Sequence, residues 1–230
     1  MGKYELAYLA RDARDLKKPP VGCYYDPAAG ERVVEWIQRF CRHSKGEWAG
    51  KPLILTDVWA GILRRLFGWK RADGTRRFRV AYIEVARKNA KSTVGAAVGL
   101  YLTVGDDEPG AEVYSSATKK DQAKIVHGAA EAMVKLSPVL KKYVKTFRNN
   151  IHCPRLGSKF EPLGSDSDTL DGLNPHGNIV DETHAHKDRG VWDVLQTAQA
   201  ARRQPLTFAI TTAGVYDPAS IGWELHDHAC

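Results

Sequence analysis

With 230 residues, 43% of them hydrophobic, the chain can bury a full core as one large α/β domain or two small ones. It has no apolar run of about 18 residues, and its start, MGKYELAYLARDARD, lacks the apolar segment of a secretory signal, so a soluble protein is expected. The formal charge of +7 is uneven: residues 1–79 hold 17 Lys and Arg against 9 Asp and Glu, and residues 80–230 hold 17 against 18.

A basic lobe beside a near-neutral one implies a polyanionic partner, most simply a nucleic-acid backbone, unless that face is merely solvated. Its densest part is Arg64, Arg65, Lys70, Arg71, Arg76, Arg77 and Arg79. Leu6 stands where a myristoylation motif has Ser or Thr. Cys23, Cys41, Cys153 and Cys230 show no CxxC spacing, so free thiols in a reducing cytoplasm are expected.

In chain order, a polar, irregular segment runs to about residue 29. GERVVEWIQRFCRH then places Val33, Ile37, Phe40 and Cys41 at helical spacing. After a Gly/Pro-bearing loop and the extended LIL, Asp57 can cap a helix carrying Ile62, Leu63, Leu66 and Phe67 to a stop at Gly68. FRVAYIEV (residues 78–85) reads as a buried strand, ARKNAKST (86–93) as a loop and VGAAVGLYLTV (94–104) as an apolar helix. AEVYSSA is a second strand. Thr118 can cap the next helix, whose buried face is Ala123, Val126, Ala130, Met133 and Val134. RNNIHC and SKFEPL form a hairpin around residues 154–157. GNIVDE is a strand ending in two carboxylates, RGVWDVLQTAQAARR a helix, and PLTFAITTAG a strand ending in small polar residues.

A strand that ends in a tight loop and opens a helix with Lys-Ser is how P-loop enzymes hold a triphosphate. Backbone N–H groups face the anion, Lys91 reaches the β/γ-phosphates and the Ser92 hydroxyl ligates Mg²⁺. Both glycines of the general pattern are missing, with Val85 and Ala90 in their places, so the loop alone reads equally as a basic cap on a core helix. Strands alternating with helices predict a three-layer α/β fold of the P-loop (RecA/ASCE-like) kind, with a mainly parallel central sheet flanked by helices. In such sheets ligands bind beyond the carboxyl ends of the strands, where residues 86–93, Asp181-Glu182 and Thr211-Thr212 converge. There Asp181 orients Mg²⁺ and its waters, and Glu182 positions or deprotonates the attacking water. Thr211 and Thr212 can bond a γ-phosphate or Glu182. The blander readings are a helix cap for the carboxylates and a turn ending at Gly214 for the threonines.

From residue 46 to 214 the chain resembles the tailed-phage terminase large subunit, specifically its N-terminal packaging ATPase. The resemblance is carried by GEWAGKPLILTDVW and LFGW, the deviant Walker A ARKNAKST, YSSATKKDQA, LDGLNPH, the Walker B VDETHAH and the coupling motif TTAG. It implies ATP and Mg²⁺ as ligands, with residues 1–50 an N-terminal adapter segment and 51–230 the ATPase domain. The loop residues Arg87, Lys88, Asn89, Ala90, Lys91, Ser92 and Thr93 would hold the nucleotide, with Arg87 and Lys91 on the phosphates. Ser92 and Asp181 would take the metal, Glu182 would be the catalytic base, and Thr211, Thr212 and Gly214 the coupling element.

The resemblance also implies partners: double-stranded DNA, a portal protein and a small terminase subunit. The chain would form a homo-oligomeric ring when assembled and a monomer in isolation, in the host bacterial cytoplasm and transiently at the procapsid portal vertex. Three departures stand out. Ala90 replaces the family's glycine, so its methyl group is expected to crowd the loop or deny it a positive φ. Val58-Trp59 replaces a Trp-Gln pair on the adenine side, which leaves Trp59 to stack there. The family's large subunit continues into an RNase H-like nuclease domain, whereas this sequence, ending at Cys230, matches the motor domain alone.

Other readings come from other classes. Asp181-Glu182-Thr183-His184 is literally DExH, as in superfamily 2 helicases. A metallohydrolase would use Asp181, His184, His186 and Asp188. A non-catalytic assembly module would follow if Ala90 disabled the loop. Some related motors carry an arginine finger just before the Gly preceding Walker B, where this chain has Asp171. Arg189, Arg202 and Arg203 are then the candidates for a finger given to a neighbour, and Arg87 the candidate in cis.

Overall fold

Helix α1 (Pro27–Phe40) starts where Asp26 accepts a bond from the Ala29 amide at 3.0 Å and Pro27 occupies the first turn, where no N–H is needed. It buries Val33, Val34 and Ile37 along one face. The cap of α2 (Asp57–Gly68) is Thr56, whose hydroxyl accepts from Trp59 N at 3.4 Å, rather than Asp57. Asp57 sits inside the first turn, where its charge suits the helix dipole. The two helices cross closely because Gly30 has no Cβ; one there would lie 2.6 Å from the Arg64 carbonyl oxygen. The computed structural model describes residues 14–117, 120–164, 172–185, 189–214 and 220–229. Thr118, Asp171, His186 and Asp188 lie outside them.

A small antiparallel ribbon pairs β1 (Cys23–Tyr25), which lies within the segment expected to be irregular, with β2 (Trp69–Arg71). Among the described residues the main sheet has seven strands: β3 (Val80–Glu84), β4 (Glu112–Ser116), β5 (Lys145–Phe147), β6 (Asn150–Cys153), β7 (Ser158–Pro162), β8 (Pro175–Asp181) and β9 (Leu206–Thr211). Their order is β3-β9-β8-β4-β7-β6-β5, parallel from β3 to β7 and antiparallel in the last two pairings. The loop-bearing strand β3 begins two residues later than the apolar pattern suggests, because Arg77 N bonds Trp69 O at 2.9 Å and holds the preceding residues to the ribbon. The last strand in sequence, β9, inserts between β3 and β8, pairing Glu84 with Thr211 and Asp181 with Ile210.

Alternate residues of the central strands serve two cores. On one face Ile179, Phe208 and Ile210 join α1, α2, α3 (Lys91–Leu100) and α4 (Lys120–Leu136) in a single cluster. The expected boundary at residue 50 is therefore not marked by a gap in the packing. On the other face Val180 and Ala209 meet Trp192 of α6 (Gly190–Ala198) and Ile221 of α7 (Ile221–Ala229). The short α5 (Leu140–Tyr143) leads into β5. Helix α3 lies close against the sheet because a Cβ at Gly99 would fall 2.6 Å from the Phe160 ring. It ends at Leu100 rather than near residue 104, in a π-turn closed by Asp106 N to Tyr101 O at 2.9 Å. Asp106 is then pinned by Arg76 Nη2 and His176 Nε2, each at 2.8 Å.

Candidate nucleotide site

The loop between β3 and α3 is built on left-handed backbone at two residues that are not glycine, Lys88 (φ 68°) and Ala90 (φ 58°). Ala90 thus adopts the conformation a glycine would supply, with its methyl group in place, at a cost of about 1–2 kcal/mol. This corrects the expectation that alanine denies the loop a positive φ. Asn89 Nδ2 donates to Ala86 O at 3.1 Å, and Trp59 Nε1 donates to Asn89 O at 3.0 Å. Trp59 is only 5% exposed, so it anchors the loop from within the core instead of offering a face to a base. The first amides of α3 have no intrahelical acceptor and open toward the loop. Lys91 is 7% exposed and folds over the loop with Nζ 3.4 Å from Val85 O, whereas the Arg87 and Lys88 side chains are exposed.

Across from the loop, at the carboxyl end of β8, Asp181 Oδ2 accepts from Ser92 Oγ at 2.7 Å. Burial pushes the Asp181 carboxyl above its ordinary range, the Ser92 bond opposes this, and the neighbouring Glu182 charge adds to the rise. Glu182 has φ 53°, and its amide donates to Asp181 Oδ1 at 3.0 Å, which turns the side chain out of the strand line. Its Oε2 lies 3.2 Å from His184 Nδ1. Because β9 sits beside β8, Thr211 reaches the same histidine: its Oγ1 accepts from His184 N at 3.1 Å and lies 2.7 Å from Nδ1. Thr211 commits its own proton to Thr212 O at 3.0 Å, so Nδ1 must carry the proton it shares with Thr211 and Glu182. Thr212 is 7% exposed beside it, and Thr93 lies half-buried in the first turn of α3.

Sequence reasoning missed this bridging place of His184. Its only signal was a histidine three residues after the strand-end acid, read there as a helicase signature or a metal ligand. Among the described residues no third His, Cys, Asp or Glu joins Asp181 and His184 in a cluster that could hold a metal ion, so the metallohydrolase reading gains no support there. The arginines proposed as fingers are tied up to differing degrees. Arg189 pairs with Asp193 and Glu224. Arg202 is held by Asn174 O, Gly110 O and Glu108 at the amino ends of the strands, away from the loop. Arg203, at that same end, is exposed. A groove of about 780 Å³ runs along the outer edge of β3 against α2, but neither Ser92, Asp181 nor Glu182 lines it. The loop and the Asp181 cluster therefore lie outside that groove.

A phosphate loop facing an acidic strand, with one strand between them that ends in threonines, defines a P-loop NTPase of the ASCE type. Residues 60–227 match the family model of the terminase large subunit, ATPase domain, and the chain belongs to that family. It is 30% identical over 195 residues to the terminase large subunit of Enterobacteria phage HK97, a match that covers 82% of this chain and 37% of that protein. The chain thus spans little more than a third of that relative's length. The crystal structure of the HK97 bacteriophage large terminase superposes with a TM-score of 0.73 and 27% identity, covering 87% of this chain and 41% of that one. The large terminase ATPase domain of Thermus phage P74-26 shares the fold, with a TM-score of 0.50 and 19% identity over 61% of this chain and 63% of that one.

Proposed function

We propose that this domain hydrolyses ATP with Mg²⁺ and uses the energy to drive double-stranded DNA into a procapsid. The observation that carries the proposal is the 2.7 Å contact between Ser92 and Asp181, which sets a hydroxyl and a carboxylate opposite a formed phosphate loop. Both are hard oxygen donors of the kind Mg²⁺ takes, and burial already presses on the Asp181 carboxylate, so the pair fits that ion. When bound, Mg²⁺ would neutralise charge on the β- and γ-phosphates. Lys91 would exchange its contact with Val85 O for phosphate oxygens. Glu182 would accept the proton of the water that attacks the γ-phosphorus, as the bond to the leaving ADP oxygen breaks.

The non-catalytic reading loses its ground because the loop forms with Ala90 in place, and the family match takes the place of the helicase reading. Family membership supports the remaining partners, a portal protein and a small terminase subunit. It also supports a cycle in which a monomer in the host bacterial cytoplasm joins a homo-oligomeric ring at the procapsid portal vertex. A neighbour's arginine in such a ring would add the positive charge that Arg87 and Lys91 supply in cis.

Nucleotide binding and turnover of the purified chain with Mg-ATP test this. Glu182→Gln should keep binding while losing most turnover, because the amide keeps the shape but takes no proton. Lys91→Ala should weaken binding itself by losing a charge-assisted contact. Equal loss of binding in both variants would overturn the assigned roles.

A further inference from the structure

Four arginines of the densest basic stretch before residue 80 are engaged by the fold. Arg76, 1% exposed, bonds Asp106 and Gln204 O. Arg64 pairs with Glu31, Arg77 lies over Trp69 and Phe78, and Arg79 donates to Arg203 O. The far edge of the sheet differs. From residue 132 to 160 the sequence has no acidic residue and seven Lys or Arg. Three of the seven are neutralised, Lys135 by Glu131, Arg155 by Asp107 and Lys159 by Glu161. The other four, Lys141, Lys142, Lys145 and Arg148, are exposed and have no acidic partner among the described residues.

These four lie on α5, on β5 and just after it, interleaved with Tyr143 and Phe147, which are 58% and 56% exposed. Among the described residues strand β5 pairs only with β6, which puts it at the edge of the sheet, and Lys145 and Phe147, two residues apart, share one of its faces. A face needed only for solubility has no use for bare rings between its charges, whereas rings alternating with unpaired cations suit phosphates and bases. We propose that this α5–β5 ridge binds the phosphate backbone of a nucleic acid. The proposal rests on the motor reading, which requires a track for the domain to grip. Four strand spacings, roughly 19 Å, separate β5 from β8, so the ridge is distinct from the nucleotide site.

The test is binding of the purified chain to a labelled mixed-sequence DNA duplex, and separately to its single strand, across a salt series. Four phosphate contacts on a duplex give a log–log salt slope of about −3.6, and the triple variant Lys142→Ala, Lys145→Ala, Arg148→Ala should flatten it by roughly 2.7. The same variant should bind more than tenfold more weakly at moderate salt, with unchanged ATP turnover in the absence of DNA. The charge-matched control Lys17→Ala, Lys18→Ala, Arg71→Ala should bind nearly as the parent does. Phe147→Ala should cost single-strand binding more than duplex binding if a base stacks on that ring.

Equal binding by the parent and the ridge variant would overturn the ridge and leave the DNA track to be sought elsewhere. Equal losses in both triple variants would also overturn it, because net charge alone would then explain the binding. A parent that hydrolyses ATP but binds neither probe overturns the ridge while the ATPase reading stands. A parent that binds DNA through the ridge without hydrolysing ATP supports the ridge and sinks the motor reading. Loss of self-association alone in the ridge variant, by sedimentation, would assign the surface to a second copy of the chain and overturn the proposal.

Discussion

His184 Nδ1 lies 2.7 Å from Thr211 Oγ1, so the residue three places after the Walker B aspartate is bonded to the end of the neighbouring strand. The same nitrogen is 3.2 Å from Glu182 Oε2, which makes the histidine the link between the proposed base and Thr211, one of the proposed coupling residues. The backbone there has little room to shift: a Cβ at Gly222 would meet His184 Cα at 2.7 Å, and one at Gly214 would meet His184 Cβ at 2.9 Å.

Removing this link should slow chemistry without loosening nucleotide. For His184→Ala the expected loss in kcat is about tenfold to a hundredfold, the effect of roughly 1.4–2.7 kcal/mol of misplacement, with the Kd for ATP little changed. His184→Asn, whose amide can stand in for the Nδ1 donor, should recover most of the rate. If the asparagine variant is as slow as the alanine one and both bind ATP poorly, the histidine only holds the fold.

Ala90 allows the loop's strain to be measured. Ala90→Gly removes a left-handed cost of about 1–2 kcal/mol but adds about 0.4–1 kcal/mol of unfolded-chain entropy. The net change in urea-unfolding free energy should therefore be a gain of at most about 1.6 kcal/mol. Ala90→Val places a branched Cβ on the same backbone and should weaken ATP binding while α3 stays folded by circular dichroism. A glycine variant less stable than the parent would show that the left-handed conformation is not strained here.

Acid should unlock the Arg76–Asp106–His176 cluster. Burial alone would raise the Asp106 carboxyl, but Arg76 and then His176 outweigh it and hold it at about 2. A folded value below the ordinary one near 4 means that the stabilisation is present above about pH 4 and is lost as pH falls toward 2. Its size is on the order of 2–3 kcal/mol. Asp106→Asn should remove that dependence and, by leaving Arg76 unpaired, cost about 3–5 kcal/mol at neutral pH. Unfolding curves that keep their acid limb in the variant would assign it to another carboxylate.

The thiols should separate by burial. Cys41 is fully buried, and burial pushes its thiol up to about 12. Cys153 is buried too, whereas Cys23 is partly exposed. Under native conditions a disulfide reagent should therefore label Cys23 quickly and Cys41 and Cys153 only on unfolding, as read by peptide mass spectrometry. Rapid labelling of Cys41 would mean that the α1–α2 core opens far more readily than its packing implies.

The order of chemistry along the chain was legible without coordinates because it is local. A strand, a basic loop and a helix opened by Lys91-Ser92 are adjacent in sequence. So are the two carboxylates that close β8, and the apolar period of α4 placed Ala123, Val126, Ala130, Met133 and Val134 inward as they are found. Tertiary structure alone decided which distant groups meet. Only the insertion of β9 between β3 and β8 brings Thr211 to His184, because strand pairing carries no mark in the spacing of either segment. The charges followed the same division. Counting charges on either side of residue 80 put the basic surface before it, yet a side chain's partner is set by folding. Asp106 and Glu31 take up Arg76 and Arg64, whereas Lys141, Lys142, Lys145 and Arg148 stay exposed beside Tyr143 and Phe147 on the α5–β5 ridge.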